Sequence, residues 1–155
     1  MSEFAPMSRP ASPLTRAVTD NLRAQLAKDP DEAHLAQALR HLAKWRAQLI
    51  LNTLAAKSGS KVLSGPFRGM DYAVAATEGA GAARLLGCYE ASLHPIVEAA
   101  VARGYAQIID IGCAEGYYAV GLALRLPQAR VLAHDTNPAA QQACQGFAAL
   151  NGVAG

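Results

Sequence analysis

Between residues 107 and 126 the period of the apolar positions changes abruptly. Ile108, Ile109 and Ile111 form an almost unbroken β-branched run, the pattern of a strand buried on both faces of a parallel sheet. From Tyr117 the chain reads Tyr-Tyr-Ala-Val-Gly-Leu-Ala-Leu, which suits a helix, and Pro127 ends it near Leu126. Arg130-Val-Leu-Ala-His134 is a second apolar run, again of strand length. A strand, a helix and a strand in that order form a right-handed crossover, which places 107–111 and 130–134 side by side and parallel. Asn137 is a good N-cap with Pro138 at the first helical position, so a further helix is predicted to about Asn151, ended by Gly152. Its inner face carries Ala139, Ala143, Phe147 and Leu150.

Upstream the period is helical for most of 40 residues. Leu14, Val18, Leu22 and Leu26 recur every fourth position, and Asp29-Pro30-Asp31 then breaks and recaps the chain. A longer helix follows to about Lys57, with Leu35, Leu39, Leu42, Leu49 and Thr53 on one side and Trp45, Ile50 and Leu54 widening the stripe. The two helices are expected to pair as a hairpin over 14–57. Its apolar face is broad enough to need cover from the α/β part or from a second copy. Residues 1–13, with three of the eight prolines, read as a flexible tail. Residues 58–104 read as a connecting loop and helices. Gly87 and Pro95 interrupt the helical pattern there, and a helix from about Ser92 to Arg103 closes at Gly104. Residues 105–155 make a partial Rossmann-like domain.

Composition narrows the classes. The 155 residues are 52% hydrophobic and 17% charged, enough apolar surface for one globular domain. A net charge of +2 with no Lys/Arg cluster among aromatics gives no indication of nucleic acid. No apolar run reaches the roughly 20 residues of a membrane span, and the N-terminus lacks the regions of a signal peptide. A cytoplasmic location is the default expectation. Cys88, Cys113 and Cys144 are odd in number and show no C-x-x-C spacing, so neither a disulfide framework nor a metal site is expected. His34 and His41, without acids or cysteines around them, read as surface residues.

The candidate chemistry lies in the turn after the first strand. At the C-terminal end of a parallel strand the first amides of the next helix are unpaired, and Gly112 and Gly116 remove β-carbons that would block a close approach. A dinucleotide site would show G-x-G-x-x-G. Here the order is Asp110-x-Gly112-x-Ala114-x-Gly116. Asp135 ends the second strand 19 residues beyond Gly116. Its two oxygens match the two donors of a ribose diol, whatever adenosine cofactor carries it. Asp135 also reads as a turn-capping residue, and both roles can coexist. Cys113 sits in the turn, where a helix N-terminus would lower its thiol pKa, but with no partnering His it reads as a small packing residue.

The acid followed by G-x-A-x-G resembles motif I of the class I S-adenosylmethionine-dependent methyltransferases, with Ala114 standing at the middle glycine. Two upstream segments are similar to a bacterial group within that class: Gly65-Pro-Phe-Arg-Gly-Met70, and Leu85-Leu-Gly-Cys-Tyr-Glu-Ala-Ser-Leu-His-Pro95. The resemblance spans roughly residues 61–153. It implies S-adenosylmethionine as cofactor, an unidentified methyl acceptor, and cofactor contacts from Asp110, Gly112, Cys113, Ala114, Gly116 and Asp135. Tyr89 and Glu90, just before the first strand, are expected near its methionine end, with Glu90 accepting from the ammonium group; His94 reads as structural. The 62–72 segment reads either as a lid with Phe67, Arg68 and Tyr72 turned inward or as a packed connection.

A complete sheet of this class has seven strands, and only the first two are recognisable here. The expectation is therefore an N-terminal portion of a larger enzyme, inactive alone and homo-oligomeric through its open edge or its hairpin. No catalytic residue is assigned. The alternatives are a non-catalytic Rossmann-like chain acting through self-association, and a nucleotide oxidoreductase, which the missing third glycine disfavours.

Overall fold

The computed structural model describes residues 10–28, 31–72 and 80–154. The N-terminal part of the predicted tail, Asp29, Pro30 and Gly155 lie outside the described residues. Contacts divide the chain into one compact unit ending at Leu49 and a second beginning at Ile50.

The first unit is a helix pair. Helix α1 (Pro13–Leu26) starts where the Ser12 side chain accepts from the Thr15 amide, with Pro13 in the first turn. Helix α2 (Glu32–Ser58) opens after Asp31, whose Oδ1 accepts from the His34 amide. Trp45 Nε1 donates to Thr15 Oγ1 at 3.2 Å, tying the two together. In the first unit, His34, Ala38, His41 and Trp45 of α2 are covered, as are Ala36, Ala47, Gln48 and Leu49, while the leucines at 35, 39 and 42 stay exposed. This corrects two sequence expectations. The histidines are half-buried, and the leucine stripe is not the packed seam. Small Ala38 is the physical reason, because it lets the helices approach and brings its i±3/4 neighbours to the contact.

The second unit is α/β and takes in the last turns of α2, whose Leu51, Leu54 and Ala55 pack on its core. It continues with α3 (Gly81–Leu86), a 3-10 turn (Ala91–Leu93), α4 (His94–Arg103), β1 (Gln107–Ile111), α5 (Tyr117–Arg125), β2 (Arg130–His134) and α6 (Pro138–Leu150). Strands β1 and β2 are parallel, with Ile109 opposite Leu132 and Ile111 opposite His134. The strand–helix–strand order and the parallel pairing are the predicted ones. Left-handed Gly87 closes α3, left-handed Gly104 closes α4, and the Asn137 side chain caps α6 by accepting from the Ala139 amide.

One face of the sheet departs from expectation. Ile108 and Asp110 point toward α5 and α6 and are partly buried, but Ile109 is 64% and Ile111 81% exposed. The continuous apolar run predicted burial on both faces. Among the described residues, helices cover only one, and the pleat sends alternate side chains to the other.

The core is built from the connecting segment. Val62, Phe67, Met70 and Tyr72 pack with Leu85, Val97, Tyr117, Val120 and Phe147. The segment folds back on itself, with the Val62 amide donating to the Met70 carbonyl and Lys61 Nζ 2.8 Å from Asp71 Oδ2. The Asn151 side chain then holds the Asp71 backbone by two bonds of 3.0 Å. Residues 61–72 are thus a packed connection. Phe67 and Tyr72 do face inward, whereas Arg68 is exposed. Among the described residues no helix is long and apolar enough to cross a membrane.

Candidate functional site

The turn from Gly112 to Gly116 stands at the C-terminal end of the sheet. The amides of Gly112 and Cys113 both donate to the His134 carbonyl, at 2.8 and 3.0 Å, so the turn is anchored to the end of β2. That brings in Asp135. Its Oδ2 accepts from the Ala114 amide at 2.9 Å and its Oδ1 from the Asn137 amide at 2.8 Å. These two bonds, Asn137 first, hold the Asp135 carboxyl below the usual carboxylate range. The capping role read from sequence is present. An ionised carboxylate has about four acceptor sites, so capacity for a diol remains.

Asp110 sits beneath the turn on the helix-covered face. It accepts from the Ala119 amide in the first turn of α5, while its Oδ2 is buried with no partner among the described residues. Burial raises its pKa, the Ala119 amide opposes this, and the negative charge of Asp135 adds to the rise. An acid whose folded pKa is raised favours the folded state most below its unfolded value, and that contribution is lost as pH rises through the folded value. Asp110→Asn keeps an acceptor for Ala119 and removes the buried charge. It is expected to raise the melting temperature by a few degrees at pH 7, with the gain vanishing near pH 3. A variant less stable than wild type at pH 7 would refute this.

The two glycines differ in what they do. Nothing lies within 4 Å of the position a β-carbon would take at Gly112, so backbone there is open to approach. At Gly116, with φ of +89°, a β-carbon would lie 2.5 Å from Cys144 Sγ. The expectation that both glycines clear space for a ligand is therefore corrected. Gly116 clears space for α6. Cys113 is buried, and burial followed by the neighbouring Cys144 thiol pushes its thiol up to about 12. That is the packing reading, and it removes the thiolate needed for nucleophilic work.

Ala114 and Glu90 are, among the described residues, the two non-glycine residues with positive φ, at +48° and +46°. Left-handed backbone disfavours a β-carbon, which is the physical reason a glycine suits the middle of such a turn. Strained positions of this kind persist only where the surroundings hold them, and they gather at binding sites. Tyr89 and Glu90 are held against the first turn of α5 by aromatic neighbours. Tyr118 Oη donates to Glu90 Oε2 at 2.6 Å, and the Tyr89 ring meets that of Tyr117 edge to face at 5.7 Å. His94 Nε2 donates to the Tyr89 carbonyl at 3.1 Å, a structural contact.

Sequence patterns do not reveal the ion pair beneath these residues. Arg84, on α3, and Glu115, inside the turn, are 3% and 1% exposed and in direct contact. Two charges within apolar sequence, Ala-Ala-Arg-Leu-Leu and Cys-Ala-Glu-Gly, are the one signal that could have found it. A cleft of about 440 Å³, lined by aliphatic side chains with Gln141 and Gln145, also runs beside β2, between α5 and α6. No charged side chain lines it, so the charged groups stay at the strand ends. Among the described residues, no three His, Cys, Asp or Glu side chains gather as metal ligands would. The chain matches no family model, and no curated protein or solved structure matches it at a significant level.

Proposed function

We propose that the chain carries the cofactor-recognition part of a class I S-adenosylmethionine-dependent methyltransferase acting on an unidentified acceptor. The observation that carries this reading is the 2.9 Å bond from the Ala114 amide to Asp135 Oδ2. It joins the acid ending the second strand to the left-handed centre of an acid-then-glycine turn. Three further features fit the cofactor: the open backbone at Gly112, the orphaned Asp110 oxygen below it, and the exposed Glu90 carboxylate at the rim.

When bound, S-adenosylmethionine supplies an electrophilic methyl group on a sulfonium centre. The chain's own residues bind and orient. Gly112 admits the ligand to the backbone, Asp135 accepts from the ribose diol with the lone pairs its backbone amides leave, and Glu90 accepts from an ammonium group. Tyr89 and Tyr118 brace that rim. Alignment of reactants, rather than covalent help, is the main requirement of such a transfer. No general base is assigned.

Titration calorimetry with S-adenosylhomocysteine and with NAD tests the reading. S-adenosylhomocysteine is expected to bind tighter, and a preference for NAD would overturn the assignment. Asp135→Ala is expected to weaken S-adenosylhomocysteine roughly 10- to 100-fold, the range for hydrogen bonds to a charged group. Equal binding by a folded Asp135→Ala protein would remove the carboxylate from the site.

A second reading is a non-catalytic chain acting through self-association, and the exposed apolar face of Ile109, Ile111 and Leu132 favours it. Such a patch is stable in water when another chain buries it. We propose a homo-oligomer under either reading. Light scattering checks this, and a monomer across the accessible concentration range would exclude it.

A further inference from the structure

The buried Arg84–Glu115 pair presents an energetic puzzle. Removing two charges from water costs more than their attraction often returns, so an apolar pair of similar volume would serve stability as well or better. The pair is also incompletely satisfied: Arg84 Nε and Glu115 Oε2 have no partner among the described residues. What it does supply is direction. The Arg84 guanidinium lies 4.3 Å above the centre of the Tyr89 ring, a cation–π contact, while the same side chain meets Glu115 in the turn. Tyr72 Oη lies 3.4 Å from Glu115 Oε1, and Tyr117 Oη donates to the Arg84 carbonyl at 3.3 Å. One planar cation thus touches both segments that hold a left-handed non-glycine residue, Glu90 next to Tyr89 and Ala114 next to Glu115.

We propose that Arg84 and Glu115 are positioning residues that lock the Tyr89–Glu90 rim against the Ala114 turn, setting the width of the candidate cofactor site. The inference rests on the functional reading above for the identity of the ligand, and on geometry alone for the locking. Without the pair, the rim keeps its contacts to Tyr117 and Tyr118 on α5 but loses its direct tie to the turn at Glu115. The Ala114 and Glu90 backbones then relax toward less strained conformations.

The test is hydrogen exchange on the unliganded protein, combined with the calorimetric titration. In Arg84→Met/Glu115→Leu the melting temperature is expected to stay near that of wild type. The amides of Cys88, Tyr89, Cys113, Ala114 and Gly116, all hydrogen-bonded in the structure, should exchange about tenfold faster. Helices α4 and α6 should be unchanged, and S-adenosylhomocysteine should bind about tenfold more weakly. Unchanged exchange at those five amides would overturn the proposal, as would a uniform acceleration across the unit, which is the mark of a merely structural role. Arg84→Lys covers the case in which the double variant does not fold. It keeps the charge but loses the planar face, so Cys88 and Tyr89 should exchange faster, and wild-type exchange there overturns the proposal. If wild type itself fails to bind S-adenosylhomocysteine, the functional reading falls, while the exchange result still decides the locking.

Discussion

Glu115→Ala is expected to cost the second unit about 3–5 kcal/mol, the range for breaking a buried ion pair from one side. Arg84, only 3% exposed, would be left with its counter-charge gone, and the Tyr72 hydroxyl would lose its acceptor. For a unit of this size such a loss lowers the melting temperature by well over 10 °C. Arg84→Ala should cost a similar amount, because it strands the carboxylate instead. The two losses should not add, since each single change already carries the penalty of isolating the other charge. Urea denaturation of the singles and of the double variant measures this. A loss under about 1 kcal/mol for Glu115→Ala would mean that the guanidinium reaches water or another acceptor.

Gly116→Ala is the second large effect, at roughly 2–5 kcal/mol, combining the left-handed backbone penalty with overpacking against Cys144. The two parts can be separated. In a Cys144→Ala background the sulfur no longer opposes a new β-carbon, so the added cost of Gly116→Ala should fall to the backbone part of about 1–2 kcal/mol. Full retention of the cost in that background would show that the close approach to Cys144 is not a source of strain. Because Gly116 serves packing, its effect should appear in the unliganded protein and need no cofactor to be seen.

Most of the candidate site is legible in the order of residues along the chain, for a reason particular to it. Asp110, Gly112, Ala114, Gly116 and Asp135 lie within one crossover unit, and a right-handed crossover leaves little freedom in where the end of β2 falls. The bond between Asp135 and Ala114 is a consequence of that geometry. Tyr89 and Glu90 are different. Resemblance alone points to them, and what holds them near the turn is Arg84, Tyr117 and Tyr118, whose packing no spacing rule expresses.

The sequence by itself determined the elements of the α/β unit: strands at 107–111 and 130–134, their parallel order, the helix between them, and the cap at Asn137. These follow from apolar period and from Gly, Pro and Asn, which act within a few residues of themselves. Only the tertiary structure decided which surface each element presents. Ile109 and Ile111 read as buried because a β-branched run fits two covered faces, yet burial depends on what else packs there. In the helix pair, Trp45 meets Thr15 and small Ala38 is buried while Leu35, Leu39 and Leu42 are exposed, since close approach of two helices favours a small residue as much as a leucine stripe. Arg84 and Glu115 are 31 residues apart in the chain, and charge pairing inside a core is a property of the folded neighbourhood, which no local pattern records.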